Sequence, residues 1–214
     1  MGYPINIEEV GEKEAAKETA KALLNGGLAI TPTDTVYGLA ALVYQPGMPC
    51  REVWRTPFDK LAAVKGREGP FIILLPYWDA ASAFTEDDTS RPAAFAEAYG
   101  KPVTFLFNPR AQTDEKLTCP AGKVALRVVP DGFINRVAAA VGPIFSTSAN
   151  TADTEPPRTL ADVEQVVRDA AEVAVDGPPA TDGPSGIADA TTEPFKVFRT
   201  APGLEEALQA FISG

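Results

Sequence analysis

Short apolar runs of strand length alternate with amphipathic helical segments along this chain, and that alternation most restricts its fold. Asn6 followed by Glu9 is typical of a capped helix start. The helix that follows has one apolar face, formed by Ala16, Ala20, Leu23 and Leu24. Gly26-Gly27 supplies the stop, and Leu28–Thr31 is the first predicted strand. A helix, a glycine stop and a strand in that order indicate a layered α/β structure.

The rest of the chain repeats this pattern without a second type of composition. Further strands are predicted at residues 71–75, 103–107, 124–129, 144–146, 173–175 and 195–198. Further helices are predicted after Asp131, after Thr159 with Asp162 as its capping partner, and over residues 204–212. Residues 44–57 contain three prolines and predict a long loop. We therefore expect residues 1–214 to form a single α/β domain with a twisted, open, mixed sheet and flanking helices.

Composition excludes several classes of function. The chain has no histidine, which rules out histidine-based triads and the usual proton shuttle at neutral pH. Its net charge of −10 opposes non-specific nucleic-acid binding, which needs a basic surface. No apolar run reaches the length of a membrane span, no secretory signal is present, and Cys50 and Cys119 stand far apart. We expect a cytoplasmic protein.

Basic residues are nevertheless dense in one stretch of this acidic chain. Residues 51–67 carry five basic side chains against two acidic ones. The stretch ends in Lys65-Gly66-Arg67, and on an extended segment alternate residues point the same way. Lys65 and Arg67 could then converge on one anion, the lysine as a point charge and the arginine as a planar fork. The plainer reading is an ordinary basic surface.

Two further clusters place small polar side chains at the ends of predicted strands. Residues 32–39, PTDTVYGL, follow the first strand, and residues 146–150, STSAN, follow the strand that begins at Ile144. Open α/β sheets place their ligands at such strand ends, although each of these two clusters by itself is equally typical of a polar turn. Ser185-Gly186, with Arg199 further on, is the last cluster and is unremarkable by itself.

Taken in order, these clusters resemble the YrdC-like family, whose best-known members are threonylcarbamoyl-AMP synthases. The similarity runs from about Lys17 to Gly203, with PTDTVYGL and STSAN as its most specific pieces. KGR, GKPVTFLF and ALRVVP lie between them in the expected order. The resemblance implies a YrdC-like fold, an open sheet around a large cavity.

The resemblance also implies a reaction and a set of roles. Threonine and bicarbonate form a carbamate that attacks the α-phosphorus of ATP, and pyrophosphate is released. Mg²⁺ would be carried by the nucleotide. Lys65 and Arg67 would be catalytic, and no side-chain metal ligands are expected. The residues implied for ATP are Lys65, Arg67, Asn150 and Arg199, and those implied for threonine are Thr35, Arg127, Ser148 and Ser185. The product would serve a tRNA modification, with partner proteins receiving it.

Three positions depart from the family pattern. Glu68 replaces a proline, Gly186 replaces a threonine, and residues 151–153 replace a small turn. They leave two alternatives open: a divergent YciO-like paralogue or carbamoyl-adenylate enzyme with another acceptor, and an RNA-binding module without this chemistry. The segment 177–186 has three glycines and three prolines and predicts a lid that carries Ser185. On that view, replacing Gly186 by threonine leaves the yield of adenylate unchanged or raises it.

Overall fold

A computed structural model of the chain describes residues 3–43, 55–119, 121–152, 154–181 and 183–213. Its strands are β1 Tyr3–Asn6, β2 Leu28–Thr31, β3 Gly38–Leu42, β4 Ile72–Leu75, β5 Val103–Phe107, β6 Val124–Val128, β7 Ile144–Ser148, β8 Val173–Asp176, β9 Gly186–Asp189 and β10 Lys196–Arg199. Its α-helices are α1 Ile7–Val10, α2 Glu12–Leu24, α3 Arg55–Lys65, α4 Ser90–Tyr99, α5 Phe133–Val141, α6 Gln165–Ala170 and α7 Leu204–Ser213. Short 3₁₀ turns occupy Trp78–Ala83, Glu115–Leu117 and Leu160–Asp162.

The ten described strands form one sheet in the order β1-β8-β2-β3-β7-β4-β6-β5-β9-β10. Four neighbouring pairs are parallel, namely β1 with β8, β2 with β8, β4 with β6, and β5 with β9. The other pairs are antiparallel. The expected single α/β fold with a mixed sheet and flanking helices is confirmed.

Side chains alternate between two cores on the two faces of the sheet, as the period of a strand requires. One core is rich in aromatic residues and includes Phe58 of α3, Phe95 of α4 and Phe105 of β5. The other lies between the sheet and the paired helices α2 and α5. On this second face the two helices contact β2, β3, β4 and β8. The β6, β5 and β9 part of the same face is where the large cavity described below lies.

Most predicted elements are present, with small differences at their ends. The first helix has Asn6 as its N-cap, but Gly11 interrupts it and separates α1 from α2. The helix expected to be capped by Asp131 begins at Phe133 with Gly132 in the cap position, and no side chain caps it. Thr159 and Asp162 form the predicted capping box, but it opens a 3₁₀ turn and α6 begins three residues later.

Five elements were not predicted from the sequence. They are β1, β3, β9, the helix α4 and the helix α3, whose first three residues belong to the predicted loop 44–57. Residues 44–54 of that loop lie outside the described ranges. Gly38 and Leu39 end the PTDTVYGL segment, which the sequence analysis places in a loop after the first strand, but Gly38–Leu42 is β3. It forms a buried central strand because β2 and β7 pair with it on both sides.

Among the helices of the described ranges, none combines the length and the apolar character that crossing a lipid bilayer requires.

Candidate functional site

A cavity of about 580 Å³ opens on the sheet face beside β6, β5 and β9. Its strand residues, Leu106, Ala125, Arg127 and Ile187, alternate with residues of the aromatic core such as Phe105 and Leu126. They therefore project from the face that α2 and α5 cover elsewhere. A volume of this size is typical of a site for a small organic ligand.

The structure brings most of the predicted site residues into this one cavity. The predicted residues that line it are Thr35, Arg67, Arg127, Ser148, Ser185 and Arg199. Lys65 and Asn150 are not among its lining residues. Four clusters that are up to 164 positions apart in sequence, from Thr35 to Arg199, thus meet around one space.

Arg127 forms the floor of the cavity. Its side chain is 4% exposed, and its Nη2 lies 3.1 Å from the carboxylate of Asp34. Its Nη1 donates to the Thr35 hydroxyl over 3.3 Å, and that hydroxyl lies 2.9 Å from the hydroxyl of Thr33. Burial lowers the pKa of Arg127, against the opposing effect of Asp34, but an arginine starts so high that it stays charged.

One donor on Arg127 is unused. Its Nε is buried and has no hydrogen-bond partner within the described residues. A buried donor without a partner is unfavourable by about 1–3 kcal/mol. An acceptor that enters the cavity would remove this cost, and a carboxylate suits it best because Nε and Nη2 together form a planar fork.

Ser185 and Arg199 form a second fixed group on the cavity wall. The Ser185 hydroxyl is buried 2.9 Å from that of Thr104, and Arg199 donates to the Ser185 carbonyl over 2.8 Å and to its hydroxyl over 3.2 Å. Burial, together with the charge of nearby Arg127, lowers the pKa of Arg199. The buried Arg127 and the exposed Arg199 thus face one cavity, and two cations there favour a ligand with negative charge.

Lys65 is placed differently from the prediction. The expected extended Lys65-Gly66-Arg67 segment is wrong, because Lys65 is the last residue of α3 and Gly66, at φ +61°, ends the helix. Phe58 and Leu61 lie on the same buried helix face as Lys65. The sequence signal for this helix was the spacing of those three residues.

The Lys65 ammonium holds the backbone after β7. It donates to the Ser148 carbonyl over 3.0 Å, to the Asn150 side-chain oxygen over 3.0 Å and to the Asn150 carbonyl. Burial, helped by the charge of Arg67, lowers the pKa of Lys65 to about 8. The Asn150 amide nitrogen in turn donates to the Thr154 carbonyl over 2.5 Å. Lys65 and Asn150 therefore position the strand end that carries Ser148.

Arg67 lies at the exposed edge of the cavity. Its guanidinium lies 5.0 Å from the centre of the Phe71 ring and donates to the Pro70 carbonyl over 2.9 Å. Stacking on an aromatic face leaves the other donors of an arginine available to a ligand. Glu68, the unusual neighbour, is exposed and is not among the residues that line the cavity.

Tyr37 connects the loops around the site. Its buried hydroxyl donates to the Gly177 carbonyl and accepts from the Gly177 amide, each over 2.9 Å. Its own amide donates to Pro157, and its carbonyl accepts from Ala149. Tyr37 of PTDTVYGL thus connects the loops after β2, β7 and β8 by hydrogen bonds.

The packing around Gly186 opposes its replacement by threonine. Gly186 begins β9, and a Cβ atom there would lie 2.6 Å from Cδ2 of the buried Leu204. A threonine would force Leu204 to move, so we expect this variant to be less stable, and the yield of adenylate stays a prediction. The lid role of residues 177–186 stays a prediction, with Gly177 held by Tyr37 at one end and Gly186 in the sheet at the other.

Sequence reasoning missed several residues of the site, among them Asp34, Phe198 and Cys119. Asp34 stands inside PTDTVYGL, but nothing in the motif shows that its carboxylate pairs with Arg127. Phe198 lines the cavity and is 52% exposed, and Cys119 lines it as a free thiol. An aromatic residue directly before Arg199 on an edge strand was the available signal for Phe198.

The fold and this cavity define an α/β protein with an arginine-lined ligand site on an open mixed sheet. The chain belongs to the Sua5/YciO/YrdC family: residues 21–201 match the family described as "Telomere recombination".

The chain is similar to curated bacterial proteins named threonylcarbamoyl-AMP synthase. It is 31% identical over 189 residues to the one from Klebsiella pneumoniae, covering 84% of this chain and 93% of that protein. It is 29% identical over 151 residues to the one from Dichelobacter nodosus, covering 67% of this chain and 74% of that protein.

Solved structures share the fold. P. abyssi Sua5 complexed with L-threonine superposes with a TM-score of 0.80 at 20% identity, covering 97% of this chain and 60% of that one. E. coli YciO superposes with a TM-score of 0.75 at 15% identity, covering 94% of this chain and 96% of that one. The chain therefore spans about 60% of the length of the Sua5 protein and nearly the whole of the YciO protein.

Proposed function

We propose that this protein is an L-threonylcarbamoyladenylate synthase. Threonine and bicarbonate form a carbamate with loss of water, a carbamate oxygen attacks the α-phosphorus of ATP, and the bond to the pyrophosphate leaving group breaks. The observation that carries the proposal is the floor of the cavity, where the buried Arg127 has an unused donor beside the Thr35 hydroxyl. A small amino acid with one carboxylate and one hydroxyl fits that pair of groups.

The amino acid is assigned to the inner part of the cavity. The threonine carboxylate would take the free Nε of Arg127, and Thr35 would meet the threonine side chain. Ser148 and Ser185 would enclose it, since both line the same space. In this pose the arginine gains the partner it lacks, and the substrate is held in one orientation. Orientation is the main requirement of a displacement between two bound substrates.

The nucleotide is assigned to the outer part. Arg67 and Arg199 line the cavity and would neutralise the negative charge that spreads over the phosphate oxygens. Lys65 and Asn150 would act on this path by fixing the backbone beside Ser148. Mg²⁺ would be carried by the phosphates of ATP.

The biological setting is part of the proposal. The adenylate would be used in the cytoplasm for N6-threonylcarbamoyladenosine in tRNA, after transfer to partner proteins. The enzyme class would be nucleotidyltransferase. Direct binding of nucleic acid is not proposed, since the net charge of −10 opposes it.

One observation favours a second candidate, the divergent paralogue with another acceptor. Gly186 stands where the family has a threonine, and Leu204 fills the space that a side chain there would need. A side chain at this position would point toward Leu204 rather than into the cavity that Ser185 and Ile187 line, so this departure from the family pattern changes the packing beside Ser185 and keeps the paralogue as the second candidate.

The test is pyrophosphate release from ATP and bicarbonate with threonine, serine or glycine. We expect release to require threonine and bicarbonate together. Serine should be poorer by about 1–3 kcal/mol in transition-state free energy, the effect of one missing methyl in a fitted pocket. Equal rates with all three amino acids would contradict a threonine site and favour the paralogue. Binding of duplex RNA that weakens steeply with salt, without pyrophosphate release, would favour the RNA-binding alternative.

A further inference from the structure

A second cavity of about 700 Å³ lies on the other side of the Asp34–Arg127 pair. Its walls come from α4, from Trp78 and from the adjacent ends of β5 and β6. Asp34 lines this second cavity, whereas Arg127 lines the first. The two cavities thus meet at one ion pair, and each presents one partner of that pair.

The second cavity combines apolar walls with a carboxylate. Most of its lining is alanine, valine, proline and glycine, to which Trp78 adds an aromatic surface. Its charged residues are Asp34, Glu97 and Lys101, and the Lys101 ammonium is already bonded to the Pro202 carbonyl over 3.0 Å. The side chain of Asp34 is 13% exposed, so part of it is accessible. A carboxylate and an aromatic ring in an apolar cavity are suited to an organic cation.

We propose that the second cavity is a binding site for an organic cation, an ammonium or guanidinium on an apolar stem, whose charge pairs with Asp34. The stem would lie between Trp78 and the alanines of α4. An anion such as a free phosphate does not fit, because two of the three charged side chains are acidic.

The shared ion pair gives the site a consequence for the first cavity, and this step rests on the proposed function. The carboxylates of Asp34 and of threonine would compete for the Arg127 guanidinium, so Asp34 opposes threonine binding. A cation on Asp34 from the second cavity neutralises that competitor. The cation and threonine should therefore strengthen each other's binding by the same factor, as linkage requires.

Benzylamine is the probe, and benzyl alcohol is its neutral control of nearly the same shape. Binding is followed by the indole N–H signal of Trp78 in NMR spectra, assigned by its loss in Trp78→Phe. We expect a saturable shift with benzylamine and binding at least about tenfold weaker with benzyl alcohol, since one charge-assisted hydrogen bond is lost. Equal binding of the two compounds would overturn the proposal.

Two variants test the location. Asp34→Asn should bind benzylamine no better than benzyl alcohol. Ala93→Leu fills the second cavity from α4, leaves Asp34 in place and should abolish the shift. Ala93→Leu also keeps the test decisive if Asp34→Asn does not fold. Unchanged benzylamine affinity in a folded variant of either kind would overturn the site.

Calorimetry of threonine with and without saturating benzylamine tests the coupling. We expect threonine to bind about fivefold tighter or more with benzylamine present, and this gain should vanish in Ala93→Leu. The coupling would be overturned if threonine bound with the same affinity in the presence and absence of benzylamine. A protein that binds benzylamine at Asp34 but never binds threonine would overturn the proposed function and leave the cation site standing.

Discussion

The inner end of the first cavity (Thr35, Arg127 and Ser185) and its rim (Arg67, Phe71 and Phe198) use arginine in opposite ways. At the inner end, Arg127 is buried, and other side chains hold two of its nitrogens in place. At the rim, Arg67 is exposed and rests on the Phe71 ring with one hydrogen bond to backbone. Burial makes the inner arginine part of the fold, whereas the outer one is a charge on the surface. Changes at the inner end should therefore affect stability and function together, and changes at the rim should affect function only.

Replacing Arg127 by methionine should have the largest effect. Threonine-dependent pyrophosphate release should disappear, and the free energy of unfolding should fall by about 3 kcal/mol because Asp34 loses its partner. Urea denaturation and a pyrophosphate assay measure the two quantities. Adding Asp34→Asn should restore much of the stability without restoring threonine use. A stable, active Arg127→Met protein would contradict the expectation that changes at the inner end affect stability and function together.

Gly186→Thr should have the next largest effect. The added side chain meets Leu204, and overpacking of this kind destabilises by about 1–3 kcal/mol. Gly186→Ala is the matched control, since it adds the same Cβ without the hydroxyl and should destabilise by a similar amount. Urea denaturation checks both variants. A Gly186→Thr protein that is as stable as the parent and yields more adenylate would instead support a role for the threonine hydroxyl in closing the site.

Arg67→Ala should have the smallest effect. ATP binding measured by calorimetry should weaken by about 1.5 kcal/mol, the low end for a charge-assisted hydrogen bond, because the side chain is exposed. The free energy of unfolding should stay within about 0.5 kcal/mol of the parent. Arg67→Lys keeps the charge but lacks the planar fork, so its ATP affinity should lie between those of Arg67→Ala and the parent. Unchanged ATP affinity in Arg67→Ala would remove this residue from the nucleotide path.

The rim and the inner end also differ in how far the sequence predicts them. The motifs predicted which residues gather, because PTDTVYGL, STSAN and Ser185 each follow or begin a strand of one sheet. They did not predict the Asp34–Arg127 pair, since these two residues are 93 positions apart and meet only once β6 is in register between β4 and β5. Tertiary pairing also decided β3, whose Gly38 and two alanines favour no strand by propensity. The second cavity has no sequence signal, since alanines on a helix face are typical of ordinary packing.

The double hydrogen bond between Tyr37 and Gly177 has a consequence for how the site opens. A single phenol satisfies both the N–H and the C=O of one residue, and that residue begins the segment that carries Ser185. Neither group of Gly177 is exposed to water until Gly177 separates from the hydroxyl of Tyr37, whose ring is fully buried. Hydrogen exchange at the Gly177 amide therefore reports the free energy needed to detach the segment that carries Ser185 from the core at this end.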